Sequence, residues 1–211
     1  MATTPAKEKI LKRIREALSN PVPLPFPHSE GAQSVYAGSN EEDVVVFAEE
    51  FTKLQGKFAF CADQTDLGKQ LTQLIADKKW TKIYCREKEL CALLQSNGMN
   101  ISDDLAGCDA SVTGCEFLIA RTGSLVLSSA QESGRTTSVY APIHICIAYT
   151  DQVQPDIKDA LQAIKEKYGP AIPSFISFAS GPSRTADIEK TLVTGVHGPK
   201  EVYCFLSERI K

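Results

Sequence analysis

The sequence has no long hydrophobic run, no strong excess of charge of one sign and only three histidines in 211 residues. No stretch approaches the roughly 20 apolar residues that a membrane-spanning helix needs, so no membrane span is predicted. The net charge of −3 gives no general attraction to nucleic acid or to anionic membranes. Because the first residues also lack the charged and then apolar pattern of a secretory signal, we expect a cytoplasmic protein.

Paired metal-binding cysteines are absent as well. The chain has seven cysteines, but none forms a C-x-x-C pair or has a histidine at ligand spacing, so we predict no metal site and no cofactor on this chain. Most of the cysteines lie in short apolar runs, where a buried and reduced thiol is expected. Cys108 and Cys115 flank a predicted turn, and a metal or redox role stays open for this pair alone.

The N-terminal 40 residues differ from the remainder. Ala6 to Ser19 has the period of an amphipathic helix with a net charge of +3. Its apolar stripe fits packing on the domain or on a second copy of the chain, and a membrane or partner anchor is the alternative. Proline at alternate positions makes Pro21 to Pro27 an extended connector. We therefore predict a helix and proline-rich arm over residues 1–40 and one domain over residues 41–211.

Residues 41–211 alternate between helix and strand patterns. This rhythm predicts an α/β fold with a mostly parallel central sheet and helices on both faces. The link at Gly123 is too short for a parallel crossover, so a short antiparallel section is also predicted. Predicted strands are Phe58–Cys61, Lys82–Cys85, Ser111–Val112, Phe117–Ala120, Ser124–Leu127, Val139–Ala148, Ser174–Phe178 and Glu201–Leu206. Predicted helices are Glu41–Leu54, Leu67–Ile75, Arg86–Gln95, Ile157–Ile164 and Thr185–Leu192.

The segment Ser180 to Val202 is the strongest candidate for a functional site. A strand, a small-residue turn and a helix beginning at Thr185 would present free backbone N–H groups and the positive end of a helix dipole, which bind phosphate or carboxylate. Hydroxyl, guanidinium and first-turn residues could contribute to this ligand site, namely Gly181, Ser183, Arg184, Thr185 and Asp187. A plain helix cap at Thr185 is the alternative.

Three further features could complete the site. His197 lies between Gly195 and Gly198 in a bend, and histidine moves protons near neutral pH, so His197 is the candidate catalytic residue, with plain surface polarity as the alternative. A tight turn with Thr122, Gly123 and Ser124 could supply donors, or be a simple hairpin turn. His144 alternates with isoleucines on a strand and is either a core histidine or part of a pocket lining.

These motifs resemble those of the LUD (lactate-utilisation) domain family, and within it the protein C branch. The resemblance is strongest over Ala120 to Leu206, where SGPSRTADIE, GVHGP, the T-G-S turn and P-I-H-I occur in order. It implies a fold similar to the NagB/RpiA/coenzyme A transferase group. It also implies a role beside oxidoreductase partner subunits that hold iron–sulfur clusters and oxidise L-lactate to pyruvate.

The chain departs from the family pattern at Arg121, where the family usually has an acidic residue before the turn. A cation there reverses the local charge, and Glu116 or Glu132 is the hypothesised compensation. Two functions follow from the residues and the resemblance. One is a component of the lactate-oxidising system that binds a small anionic metabolite. The other is a free-standing isomerase or transferase acting on a phosphorylated, carboxylated or coenzyme A-linked metabolite, and a regulatory binding module is a third alternative.

Overall fold

The computed structural model describes residues 5–19, 41–188 and 191–209. The chain divides into two units, Met1–Gly38 and Ser39–Lys211. In the first, the predicted amphipathic helix is present as α1 (Pro5–Ser19), whereas the predicted proline-rich connector lies outside the described residues. No helix in the described part of the chain is long and apolar enough to cross a membrane.

A six-stranded sheet forms the centre of the second unit, and every neighbouring pair in it is parallel. Its strand order is β1-β12-β7-β4-β2-β3. The strands are β1 (Lys57–Cys61), β2 (Ile83–Cys85), β3 (Ile101–Ser102), β4 (Ala110–Thr113), β7 (Ile143–Tyr149) and β12 (Glu201–Ser207). Helices α3 (Gln64–Lys78) and α4 (Lys88–Ser96) cover one face, where they bury the isoleucines of β7 and the aromatic residues of β12.

The opposite face is covered by helix α2 (Asp43–Lys53) and a second sheet of order β8-β5-β6-β9. These strands are β5 (Phe117–Ile119), β6 (Ser124–Ser128), β8 (Val153–Gln154) and β9 (Ile176–Ala179). The β5–β6 and β6–β9 pairs are antiparallel. Helix α6 (Ile157–Tyr168) packs on the outer side of this sheet through Ala160 and Ile164. The predicted α/β class, the mostly parallel central sheet flanked by helices and the short antiparallel section are therefore confirmed.

Two local predictions are wrong. The predicted helix Thr185–Leu192 is an antiparallel hairpin of β10 (Arg184–Ile188) and β11 (Thr191–Thr194), with Arg184 opposite Thr194 and Thr185 opposite Val193. Its β-branched residues favour strand pairing, and this outweighs the acidic pattern that resembled a helix start. The predicted strand Val139–Ala148 begins only at Ile143, because Thr137–Tyr140 forms a short helix, α5.

All seven cysteines are free. Cys108 hydrogen-bonds the carbonyl of Leu105, whereas the thiol of Cys115 contacts that of Cys146 in a different hydrophobic cluster. Within the described ranges, no group of three or more His, Cys, Asp or Glu side chains is arranged to hold a metal ion.

Candidate functional site

A cavity of about 250 Å³ lies between the two sheets at the amino-terminal ends of β7 and β12. His144 and Val202 contribute from these two strands, Ser177 from β9 and Ser138 from α5. Two loops, residues 180–183 and 197–199, complete the lining. We call this space the inner cavity. It brings together five residues that the sequence singled out, which are His144, Gly181, Ser183, His197 and Gly198.

Backbone hydrogen bonds join the two loops. The N–H of Ser183 donates to the carbonyl of Pro199 over 2.9 Å, and the N–H of Gly195 donates to the carbonyl of Ser183 over 2.9 Å. A Cβ added at Gly198 would lie 3.0 Å from Cβ of Ser183, so the loops pack closely there. The motifs SGPSRTADIE and GVHGP, which follow one another in the sequence, are therefore in direct contact in the fold.

The predicted helix-start cradle is overturned by the same geometry. The hairpin has no helix dipole, and the backbone N–H of Ser183 is already bonded to Pro199. Arg184 is exposed, and neither Arg184 nor Thr185 lines the inner cavity. The side chain of Asp187 lies outside the described residues. An anion at this segment would therefore not meet a helix terminus.

The central turn joins the site indirectly. Oγ of Ser124 lies 2.6 Å from Oγ of Ser180 and 2.8 Å from Oγ1 of Thr122. Gly123 has a φ of +53°, and a Cβ added there would lie 2.4 Å from the backbone nitrogen of Phe51 on α2. The turn thus packs against α2 and supports the loop that begins at Ser180, and it does not itself line the inner cavity.

His144 satisfies both alternatives that the sequence left open. Its side chain is 1% exposed, and its Nε2 lies 2.8 Å from Oγ1 of Thr113 on β4. Burial lowers the pKa of His144 to about 4, so the imidazole is neutral at neutral pH. It is a core histidine with one hydrogen-bonded nitrogen, and it also lines the inner cavity.

His197 lies where the inner cavity meets a second, more open cavity of about 430 Å³, which we call the outer cavity. His197 is exposed and lines both. Lys200, Tyr140 and Gly195 line the outer cavity. Among the described residues, the linings of the two cavities include no Asp or Glu. Within the described part of the chain, the site therefore combines a lysine, two histidines and several serine hydroxyls, and no carboxylate lines it.

Sequence reasoning missed Ser138, Ser177 and Lys200. Ser138 lies on α5, a short helix that the sequence does not predict, so no pattern marked it as cavity lining. Ser177 is one polar residue in an otherwise apolar strand, and Lys200 directly follows the GVHGP motif. Extending that motif by one residue would have identified Lys200.

Arg121 pairs with Asp156, the residue that caps α6. Nε and Nη2 of Arg121 donate to the two carboxylate oxygens over 2.9 and 2.7 Å. Glu132 contacts Lys88, and the buried Glu116 accepts from Ser128, Lys167 and Tyr168. Asp156 is thus a carboxylate partner of Arg121, and compensation by Glu116 or Glu132 for the missing acidic residue stays a prediction.

Comparisons with known proteins agree with these motifs. The chain is 26% identical to lactate utilization protein C of Anoxybacillus flavithermus, over 96% of this chain and 98% of that protein. Similarity to proteins of the same name is higher over shorter spans: 40% for Bacillus licheniformis (46% of this chain, 42% of that protein) and 36% for Bacillus subtilis (48% and 43%). The Bacillus alignments thus cover less than half of each relative.

The fold is also found in a solved structure. A crystal structure of a DUF162 family protein from Deinococcus radiodurans matches with a TM-score of 0.60 and 18% identity, over 81% of this chain and 99% of that chain. The family model of the LUD domain matches residues 29–206. That span includes both sheets, the central turn and the two loops of the inner cavity, and the chain therefore belongs to the LUD domain family.

Proposed function

We propose that this chain is a lactate-utilisation component that binds a small carboxylate, L-lactate or its product pyruvate, at the inner cavity. The observation that supports this most directly is the composition of the two adjoining cavities. Their linings offer Lys200, His197 and serine hydroxyls, and the described lining residues include no carboxylate. Such a surface attracts a small organic anion and donates hydrogen bonds to it.

The proposed roles follow from position. Lys200 and His197, at the junction of the cavities, attract and orient the carboxylate. Ser138, Ser177 and Ser183 donate hydroxyl hydrogen bonds within the inner cavity. The names of the relatives, lactate utilization protein C, support lactate chemistry as the context.

Isothermal titration calorimetry with L-lactate, pyruvate and inorganic phosphate tests the ligand. We expect the two carboxylates to bind and Lys200→Met to weaken their binding about 5-fold to 10-fold, because an exposed charge is partly screened. Lys165→Met is the matched control, since Lys165 is an exposed lysine of α6 outside both linings. Absence of binding by both carboxylates, or an equal loss in the control, would contradict the proposal.

We further propose that the chain acts beside an oxidoreductase partner subunit that holds iron–sulfur clusters. Exposed apolar side chains around the two cavities support a docked partner, and they include Val139, Tyr140, Phe178 and Val196. Tagged chain purified from its own cells should bring down protein with iron, acid-labile sulfide and visible cluster absorbance. A Tyr140→Glu and Val196→Glu double variant should not. A chain recovered free of cluster-bearing protein would contradict the partner role and leave ligand binding intact.

A further inference from the structure

His144 is the one histidine of the site whose protonation can be assigned from its contacts. Oγ1 of Thr113 lies 2.8 Å from Nε2 of His144 and donates to the carbonyl oxygen of Gly114 over 2.8 Å. A threonine hydroxyl has one proton to donate. The carbonyl oxygen of Gly114 can only accept, so both contacts are hydrogen bonds only when the threonine proton goes to Gly114 and Nε2–H of His144 donates to the hydroxyl oxygen. Its Nδ1 is then the unprotonated nitrogen of the ring.

The contacts of His144 indicate that its Nδ1 is open to the inner cavity. In the described part of the chain, Thr113 is the one side chain that hydrogen-bonds the His144 ring. No buried side-chain nitrogen or oxygen of the described residues lacks a partner. Nδ1 is therefore not sealed in the core, and the inner cavity is the space that His144 lines. Because His144 is only 1% exposed, a ligand reaches it through this cavity.

An unprotonated ring nitrogen accepts hydrogen bonds and cannot donate one. Burial keeps the ring neutral at neutral pH, which is consistent with this role. The other polar side chains that the described residues contribute to the two cavities are hydroxyls, a lysine and His197, which in the proposed function bind the carboxylate of the ligand. Nδ1 of His144 is thus a hydrogen-bond acceptor beside the groups that would bind the carboxylate. A ligand that fits this arrangement has an O–H donor close to its carboxylate.

We infer that His144 selects 2-hydroxy carboxylates, by accepting a hydrogen bond from the ligand hydroxyl at Nδ1. Thr113 acts as a positioning residue, because its hydroxyl fixes the ring tautomer without touching the ligand. This inference rests on the proposed function, and it narrows the ligand from small carboxylates in general to those with a hydroxyl on the neighbouring carbon.

Calorimetry with L-lactate and propionate, which differ by that hydroxyl, tests the inference. In the wild type we expect L-lactate to bind about 5-fold to 10-fold more tightly, the worth of one neutral hydrogen bond. His144→Gln places an amide near the position of Nε2 and has no acceptor at that of Nδ1, so the ratio should fall to near one. In Thr113→Val the ring proton is free to move to Nδ1, and the preference for L-lactate over propionate should also be lost.

A second measurement does not depend on any variant folding. Nitrogen-15 NMR of the wild type at neutral pH should show His144 protonated at Nε2 and unprotonated at Nδ1. Proton on Nδ1, or equal binding of L-lactate and propionate by the wild type, would overturn the inference while leaving carboxylate binding in place. Failure of both acids to bind would instead overturn the proposed function, and the hydroxyl selection with it.

Discussion

The role of Arg121 in the fold depends on its pairing with Asp156, which lies 35 residues away in the sequence. Its two hydrogen bonds to Asp156 join the central turn to the start of α6, and both side chains are about two-thirds buried, with 32% and 28% exposed. The cation is thus paired within the fold and does not reverse the charge of the inner cavity.

We expect Arg121→Met to lower the free energy of unfolding by about 1 kcal/mol, as for a bidentate ion pair that is partly exposed to solvent. A double-mutant cycle with Asp156→Asn, followed by urea denaturation, measures the coupling. Binding of L-lactate by Arg121→Met should match the wild type. A loss of binding without a loss of stability would place Arg121 in the ligand site.

Glu116 is a structural carboxylate in the core. Its side chain is 1% exposed, and burial alone would raise its pKa. The hydrogen bonds from Lys167, Ser128 and Tyr168 outweigh burial and lower the pKa instead. Since the folded pKa lies below the unfolded one, the stabilisation is present at neutral pH and is lost as the pH falls through the folded pKa.

Glu116→Gln should lower the free energy of unfolding by about 2 kcal/mol, because hydrogen bonds to a charged acceptor are replaced by neutral ones. Lys167→Met is the control. Its side chain is 53% exposed, and Ser128 and Tyr168 still bond the carboxylate, so we expect a smaller loss. Urea denaturation at neutral pH compares the two. An equal or larger effect of Lys167→Met would contradict this description of the network.

At the scale of elements, the central turn is held in place by its contact with α2. The turn in its place supports the loop at Ser180 that lines the inner cavity. The backbone of Gly123 approaches that of Phe51 and Glu50 too closely for any side chain. Gly181 approaches the carbonyl oxygen of Leu54 in the same way, where an added Cβ would lie 2.3 Å from it. The central turn and the loop of residues 180–183 are thus both packed against the carboxyl-terminal end of α2.

Gly123→Ala should therefore destabilise the fold by more than about 2 kcal/mol, since the positive φ is strained and the backbone of α2 must move. Gly134→Ala is the matched control. Its φ is +68°, yet nothing lies within 4 Å of an added Cβ, so it reports the conformational strain of about 1 kcal/mol alone. Thermal or urea unfolding separates the two, and equal losses would show that contact with α2 is unimportant.

The hairpin β10–β11 shows why local residues predict a helix in this segment although it forms two strands. Arg184 to Thr194 contains an early threonine, acidic residues and leucine and isoleucine at spacings that fit a helix. Pairing of Thr185 with Val193 and the bond from Gly195 to Ser183 provide long-range contacts that a local pattern does not contain. Helix and strand patterns in a short apolar segment differ too little for local residues to decide between them.

At the scale of the whole molecule, stability should fall in mild acid because His144 is buried and neutral. Burial lowers the pKa of His144 from 6.5 to about 4. Between these values the unfolded chain binds a proton that the folded chain does not, so the free energy of unfolding falls as the pH falls. The total effect of this shift is on the order of 3 kcal/mol.

Urea denaturation between neutral pH and pH 4 tests this dependence, and His144→Gln should flatten it. Glu201 provides an internal contrast. Burial raises its pKa, but hydrogen bonds from Lys57 and Tyr203 outweigh burial and lower the pKa to about 2. Its stabilisation is therefore lost only below the ordinary value of 4.5. A profile in which His144→Gln keeps the wild-type slope above pH 4.5 would contradict the role of His144.

The amino-acid sequence alone is sufficient to predict the α/β class, the largely parallel central sheet, the antiparallel section at Gly123 and two of the loops that line the inner cavity. These features follow from apolar periodicity, from the length of links between strands and from motif order, all of which are local properties of the chain. It also singled out Ser180 to Val202 as the candidate site and offered pocket lining as one of two alternatives for His144.

Tertiary structure alone decided how these segments meet. It replaced the predicted helix at Thr185 with a hairpin, paired Arg121 with Asp156, and placed Ser138, Ser177 and Lys200 beside the two histidines. It also set the partner of His144, because Thr113 and His144 are 31 residues apart and come together only through the parallel pairing of β4 with β7. Contacts of this kind depend on strand register across the whole sheet, which local residue patterns do not specify.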